Sequence, residues 1–446
     1  MTEDAIRVLL RLLVDRPKSK EVRRSLAEAV SKPGMLDAMV SELTGEAYTA
    51  AALAFLATCV KDHGAIEAAI ELFRRADSLS PCPSYALNLI HTEELLLQFE
   101  RCIEDVRRFC ERSPDILSVA SVSLADVAEE LEGLARADSA VSVWQSAGAL
   151  SDGRPDGELP SPSIEVEYSS DELDAIAVVM TAAKVLFVGG ALSAADGVVR
   201  RIEPAVAASV KPLHTTLIRN EAAYLGCVKQ ILRGPHRPAD PGASSLRPLF
   251  LAGDSHSLSG AWQQVSLRGE QRVLVPKLVT GCKIWHTRPE SVFYPKAGFE
   301  STMASIPDGS QVVMLFGEID CREGLLLAVE KCKYDSLEEA IAATVHIYLE
   351  ALRRLLGRGM EIFVHPLPPV LNETRHIVLP FNAALRRAVD EAARDPSAGG
   401  RLHWLDFLDE LLTPDGKRLN PALEFDGTHL SPAYVRHLDA ALGAVP

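Results

Sequence analysis

Ser255 stands in the run PLFLAGDSHSLSG (248–260), where an apolar stretch delivers Gly253-Asp254-Ser255 into a small-residue turn. Near the far end, FDGTHLS (425–431) sets Asp426 and His429 three residues apart. A serine hydroxyl is a poor nucleophile at its own pKa. It needs a neighbouring base, and that base needs an orienting carboxylate. Ser255, His429 and Asp426 could supply those three roles if the fold brings the two ends together. Asp254 reads as structural, because a carboxylate at a turn accepts backbone N–H bonds. Ser257 is the substitute nucleophile.

These blocks carry a family likeness. The segment from about 245 to 446 resembles the SGNH (GDSL-like) hydrolases, matching their Gly-Asp-Ser block at Gly253-Asp254-Ser255 and their Asp-x-x-His block at Asp426–His429. The family's Gly-x-Asn-Asp block falls on VVMLFGEID (312–320), where Gly317 and Asp320 match but Ile319 replaces the oxyanion-binding Asn. The resemblance implies a three-layer, flavodoxin-like α/β/α domain with a parallel sheet. It also implies acyl transfer through a serine ester, usually to water, with no cofactor.

The missing Asn has a physical cost. Losing one oxyanion donor takes roughly 3–4 kcal/mol from transition-state stabilisation. Substitutes would be backbone N–H groups or another side chain. The family's second block provides a backbone glycine, for which Gly281, the last residue of RVLVPKLVTG, is the first choice and Gly298 the alternative. In the polar knot GEIDCR (317–322), Arg322 could face the oxyanion or an anionic substrate group, with Asp320 beside it. His256, next to Ser255, and His365, at a strand end, are further candidates for substrate contact. With Asp254, Asp320, Asp426 and His429 they could also form a carboxylate–imidazole metal cluster. The tight His pairs of metal motifs are absent, so the reading is metal-free.

Composition sets outer bounds. The chain has 446 residues, 47% hydrophobic and 24% charged, which suits a soluble protein of two or three domains. Its net charge of −15 argues against nucleic acid or anionic membrane as partners, since both need clustered cations. MTEDAIRVLL lacks a signal-peptide pattern, and no apolar run reaches the ~18–20 residues of a membrane span. Eight scattered cysteines without disulfide or metal spacing point to a reduced, cytoplasmic protein.

The elements that must position the chemistry fall into three parts. Residues 1–150 read as helices, with a tetratricopeptide-like pattern over Ala51–Pro81 (Leu53, Leu56, Ala57, Val60, Gly64, Ala69, Phe73, Ala76) and a poorer copy up to Pro114. A linker at Ser151–Ser163 precedes further helical hairpins over 164–235 that continue or cap the superhelix. There LHTTLIRNEAAY (213–224) gathers His214, Arg219, Asn220 and Glu221, either against the hydrolase-like part or on a solvated face. From 246 to 446, short apolar runs alternate with longer helical patterns, as in a parallel sheet covered on both faces. Ligand sites in such sheets lie beyond the strands' carboxyl ends.

The resulting expectation is an acyl-ester hydrolase acting on a small or conjugated acyl substrate. The alternatives are an acyltransferase with a non-water acceptor, and a non-catalytic scaffold whose superhelix binds a protein or peptide.

Overall fold

The computed structural model describes residues 3–45, 49–136, 164–238 and 246–446. Before residue 238 these form α1 (Glu3–Asp15), α2 (Lys20–Val30), α3 (Met35–Gly45), α4 (Ala50–Lys61), α5 (Ile66–Leu79), α6 (Pro83–Leu95), α7 (Phe99–Arg112), α8 (Leu124–Arg136), α9 (Ser170–Gly189), α10 (Leu192–Ala208) and α11 (Arg219–Arg233). The apolar positions of the repeat-like pattern explain the packing. Leu53, Leu56, Ala57, Val60, Ala69, Phe73 and Ala76 are buried where α4 meets α5. Ala86, Leu89, Ile90, Cys102, Val106 and Phe109 are buried along α6 and α7.

Helix α9 is buried almost all round from Leu173 to Val188, the pattern of a helix enclosed by its neighbours. It starts one residue earlier than Ser170 suggests as a cap. Ser169 Oγ accepts from the Glu172 N–H at 3.3 Å, and a Glu172 carboxylate oxygen accepts from the Ser169 N–H at 2.7 Å. Its core takes in Ile90, Phe109 and Leu131 on one side and Leu258, Trp262 and Leu278 of the sheet region on the other. The Trp262 indole N–H donates to the Phe187 carbonyl at 2.7 Å, fastening the end of α9 to the sheet region. The helical and sheet parts therefore share a hydrophobic core.

The sheet region contains β1 (Arg247–Gly253), β2 (Gln264–Leu267), β3 (Glu270–Leu278), β4 (Gln311–Leu315), β5 (Glu361–Val364) and β6 (Leu402–Trp404), in the order β2-β3-β1-β4-β5-β6. The sheet is mixed. β2 pairs antiparallel with β3, and the other pairings are parallel. The antiparallel edge was not expected from sequence. It arises because Arg268-Gly269, both at positive φ (52° and 79°), close a two-residue hairpin.

Alternation divides the strands between two faces. Ala252, Val312, Met314, Ile362 and Val364 join one core with α12 (Tyr294–Ala304), α15 (Leu337–Gly357) and α16 (Arg375–Ala393). Leu249, Leu251, Val313 and Phe363 join another with α17 (Val435–Gly443). Two short helices, α13 (Glu318–Glu323) and α14 (Leu325–Glu330), follow β4. Among the described residues, no helix is long and apolar enough to cross a membrane.

Candidate active site

Three strand ends build one edge. β1 ends at Gly253, and a Cβ there would lie 2.5 Å from the Leu315 carbonyl, so only glycine lets β1 approach β4 so closely. Asp254 then starts a 3-10 turn, Ser255–Gly260, by accepting the His256 N–H at 3.0 Å. Ser257 Oγ is spent on the Asp254 carbonyl at 2.8 Å, so the substitute nucleophile is tied into the turn. After β3, the Val279 N–H bonds the Gly253 carbonyl at 2.8 Å and leads into Thr280-Gly281. After β4, Gly317 turns at φ +125° into α13.

These ends and the loop at 425–431 border a cavity of about 400 Å³. Ser255, Gly281, Ile319, Arg322, Thr428 and His429 line its sheet side. Ser255 is half-buried and His429 is buried. The His429 Nδ1–H donates to Asp426 Oδ2 at 2.6 Å, while Asp426 Oδ1 accepts the Thr428 and His429 backbone N–H groups at 2.9 and 2.7 Å. Burial alone would raise the Asp426 pKa, but these bonds and the imidazole hold it below the ordinary carboxylate value. A carboxylate only accepts, so this contact keeps the proton on Nδ1 and leaves Nε2 to act as a base. Nε2 is buried and has no hydrogen-bond partner. Among the described residues no hydrogen bond joins it to Ser255, although both line the same cavity; such bonds commonly tighten only when substrate is bound.

Other expected site residues lie elsewhere. Asp320 is buried with its carboxylate on the Ile284 and Trp285 N–H groups, at 2.7 and 3.2 Å. Burial pushes its pKa up to about 7 despite those bonds. It shapes the loop after β3 and does not line the cavity. His365 is buried against Phe407 and Tyr434, with Nδ1 2.6 Å from the Pro366 carbonyl, and burial pushes its pKa down to about 3. It too is outside the cavity lining. His256 lies behind His429, ring centroids 5.1 Å apart, and bonds Glu318 at 3.0 Å. Glu318 lies 3.7 Å from Arg322, so His256 supports Arg322 from behind and lines no part of the cavity itself. Gly298 packs in α12 against Leu95 and Val279. The Ile319 side chain lines the cavity with no donor to offer.

The residues missed at the sequence level come from the helical part. His91, Glu94, Lys184, Tyr224 and Lys61 form the opposite wall with Arg219, Asn220 and Glu221; of the polar group at 213–224, only His214 is absent. Lys184 reaches Glu94 at 2.7 Å, Glu94 accepts from Thr280 Oγ1 at 2.9 Å, and the Lys184 ammonium lies 4.6 Å from the Tyr224 ring centroid. A lone lysine in the otherwise apolar run AVVMTAAKVLFVG was the signal that could have found this wall. Ligand atoms of Cys227, Asp426 and His429 lie within 4.8 Å of one another. They make a poor metal set: Asp426 already accepts three N–H bonds, and burial raises the Cys227 thiol pKa well above its usual value.

Comparison with protein-family models, curated proteins and solved structures found no match.

Proposed function

We propose that this chain is a serine-dependent acyl-ester hydrolase of SGNH-like type, with Ser255 as nucleophile, His429 as general base and Asp426 as its orienting acid. One observation carries the reading. His429 is fixed at Nδ1 by Asp426 while its Nε2, buried and unpartnered, belongs to the wall that also holds Ser255. In the reaction Ser255 Oγ forms a bond to the acyl carbon as its proton passes to His429 Nε2. The bond to the leaving alcohol then breaks, and the imidazolium returns the proton to that alcohol. Water repeats the sequence on the acyl-serine and releases the acid. Arg322 and the backbone N–H groups of Ser255 and Gly281 stand in for the absent Asn.

The parallel strands β3-β1-β4-β5-β6 run in the 2-1-3-4-5 order of flavodoxin-like sheets, and the α4–α5 and α6–α7 pairs support a tetratricopeptide-like superhelix. The eight free cysteines support a reducing, cytoplasmic setting. The helical wall favours a second reading, acyl transfer to an acceptor other than water, because its polar side chains line the same cavity as Ser255 and could bind an acceptor there.

Ser255→Ala is the test. Turnover of a small acyl ester should fall by about a thousandfold or more, with stability changed by no more than about 0.5 kcal/mol. Retained turnover would remove the serine mechanism.

A further inference from the structure

The charge of the cavity runs against the charge of the chain. The protein carries a formal −15, yet Lys61, Lys184, Arg219, Lys283 and Arg322 line the cavity against Glu94, Glu221 and Glu323. Two of those acids are engaged by cations: Glu94 pairs with Lys184 at 2.7 Å, and Glu323 lies 3.5 Å from Lys283 and 3.7 Å from Arg322. Glu221 lies 3.6 Å from His91, whose pKa burial pushes down to about 3, so cations still outnumber acids in the cavity lining.

Among the described residues, neither Lys61 nor Arg219 forms an ion pair. The Lys61 ammonium sits instead 5.1 Å from the Tyr294 ring centroid and 5.9 Å from that of Phe73. Its burial lowers its pKa, and the neighbouring Asp62 offsets that only in part. Arg219 opens α11, and the preceding Ile218 has no side-chain oxygen to offer the first-turn N–H groups. Glu221 in that first turn accepts a backbone N–H and offsets part of the helix end's positive charge, leaving Arg219 as its cation. On the sheet side, Arg322 Nε is buried without a hydrogen-bond partner, with Glu323 the nearest acid at 3.7 Å.

We propose, resting on the hydrolase reading above, that the substrate carries an anionic group, a carboxylate or phosphate, which seats against Lys61 and Arg219 while its acyl carbonyl lies at Ser255. The helical part is then a specificity wall: it selects acyl esters by a charge remote from the bond that breaks. Such contacts act on ground state and transition state alike, so their loss appears mainly in KM.

Two measurements separate this proposal from the one it rests on. The first compares wild type with Lys61→Gln/Arg219→Gln on a neutral acyl ester and on matched esters bearing a carboxylate or a phosphate. The ratio of kcat/KM, anionic over neutral, should fall about tenfold or more in the double variant, chiefly through KM. A fall for the carboxylate ester, the phosphate ester or both supports the site and tells which anion it takes. The second titrates Ser255→Ala protein with inorganic phosphate by calorimetry at low ionic strength, with and without the two Gln substitutions, after circular dichroism has established folding. Phosphate binding should weaken about tenfold or more on substitution. An unchanged ratio together with unchanged phosphate binding would overturn the proposal. Phosphate binding that depends on Lys61 and Arg219 in a protein that hydrolyses no ester would uphold the anion site and overturn the hydrolase reading.

Discussion

His429 is held at one ring nitrogen and open at the other, the asymmetry that its proposed role as a base requires. Asp426 accepts three N–H bonds, so the imidazole cannot rotate without breaking the tightest of them. On the same wall, Arg322 lies 3.7 Å from Glu318, which His256 holds at 3.0 Å. If Arg322 serves the oxyanion, Arg322→Ala should lower kcat about a hundredfold on neutral and anionic esters alike, with Arg322→Lys intermediate. Steady-state kinetics decide this; wild-type rates in both variants would reduce Arg322 to an ion-pair partner of Glu318. At this scale the placement was most legible for Ser255 and His429, which line one cavity, and for Asp426, which holds His429 Nδ1 at 2.6 Å. The sequence was misleading at Asp320 and His365. Both lie near strand ends, as site residues do, but one carboxylate is committed to backbone N–H groups and one imidazole to a carbonyl and two aromatic rings. Sequence order does not say which way a side chain turns.

The elements follow the same division. Short apolar runs announced β1, β3, β4 and β5, and longer helical patterns announced α9 and α15. β2 escaped because it is only four residues long and alternates polar with apolar. α16 begins at Arg375, whereas Pro380 looks like a first-turn residue; the helix runs through that proline. The junction of α6, α9 and the loop after β3 hangs on the Lys184–Glu94 pair and Thr280, which lie far apart in the chain and share no local pattern. Lys184→Met should leave Glu94 buried with only the Thr280 hydroxyl and destabilise the protein by about 3–5 kcal/mol. The double variant Lys184→Met/Glu94→Leu should recover much of that loss. Urea unfolding measures both; a single variant as stable as wild type would mean that the pair is not holding the junction.

In the whole molecule, the helical part and the sheet share a core through Trp262 and Leu258, and together they enclose the cavity. Neither part alone has the complete set of groups: Ser255 and His429 lie on one side, Lys61 and Arg219 on the other. This arrangement depends on tertiary packing, so the sequence offered only the cluster at 219–221 as a hint of it. The proposed activation of Ser255 by His429 has a direct chemical readout. A fluorophosphonate probe reacts with a serine hydroxyl when a neighbouring base activates it, and peptide mass spectrometry locates the adduct. One adduct is expected, on Ser255, lost in Ser255→Ala and strongly slowed in His429→Ala. No adduct on Ser255, or labelling of Ser257 in its place, would contradict the proposed activation.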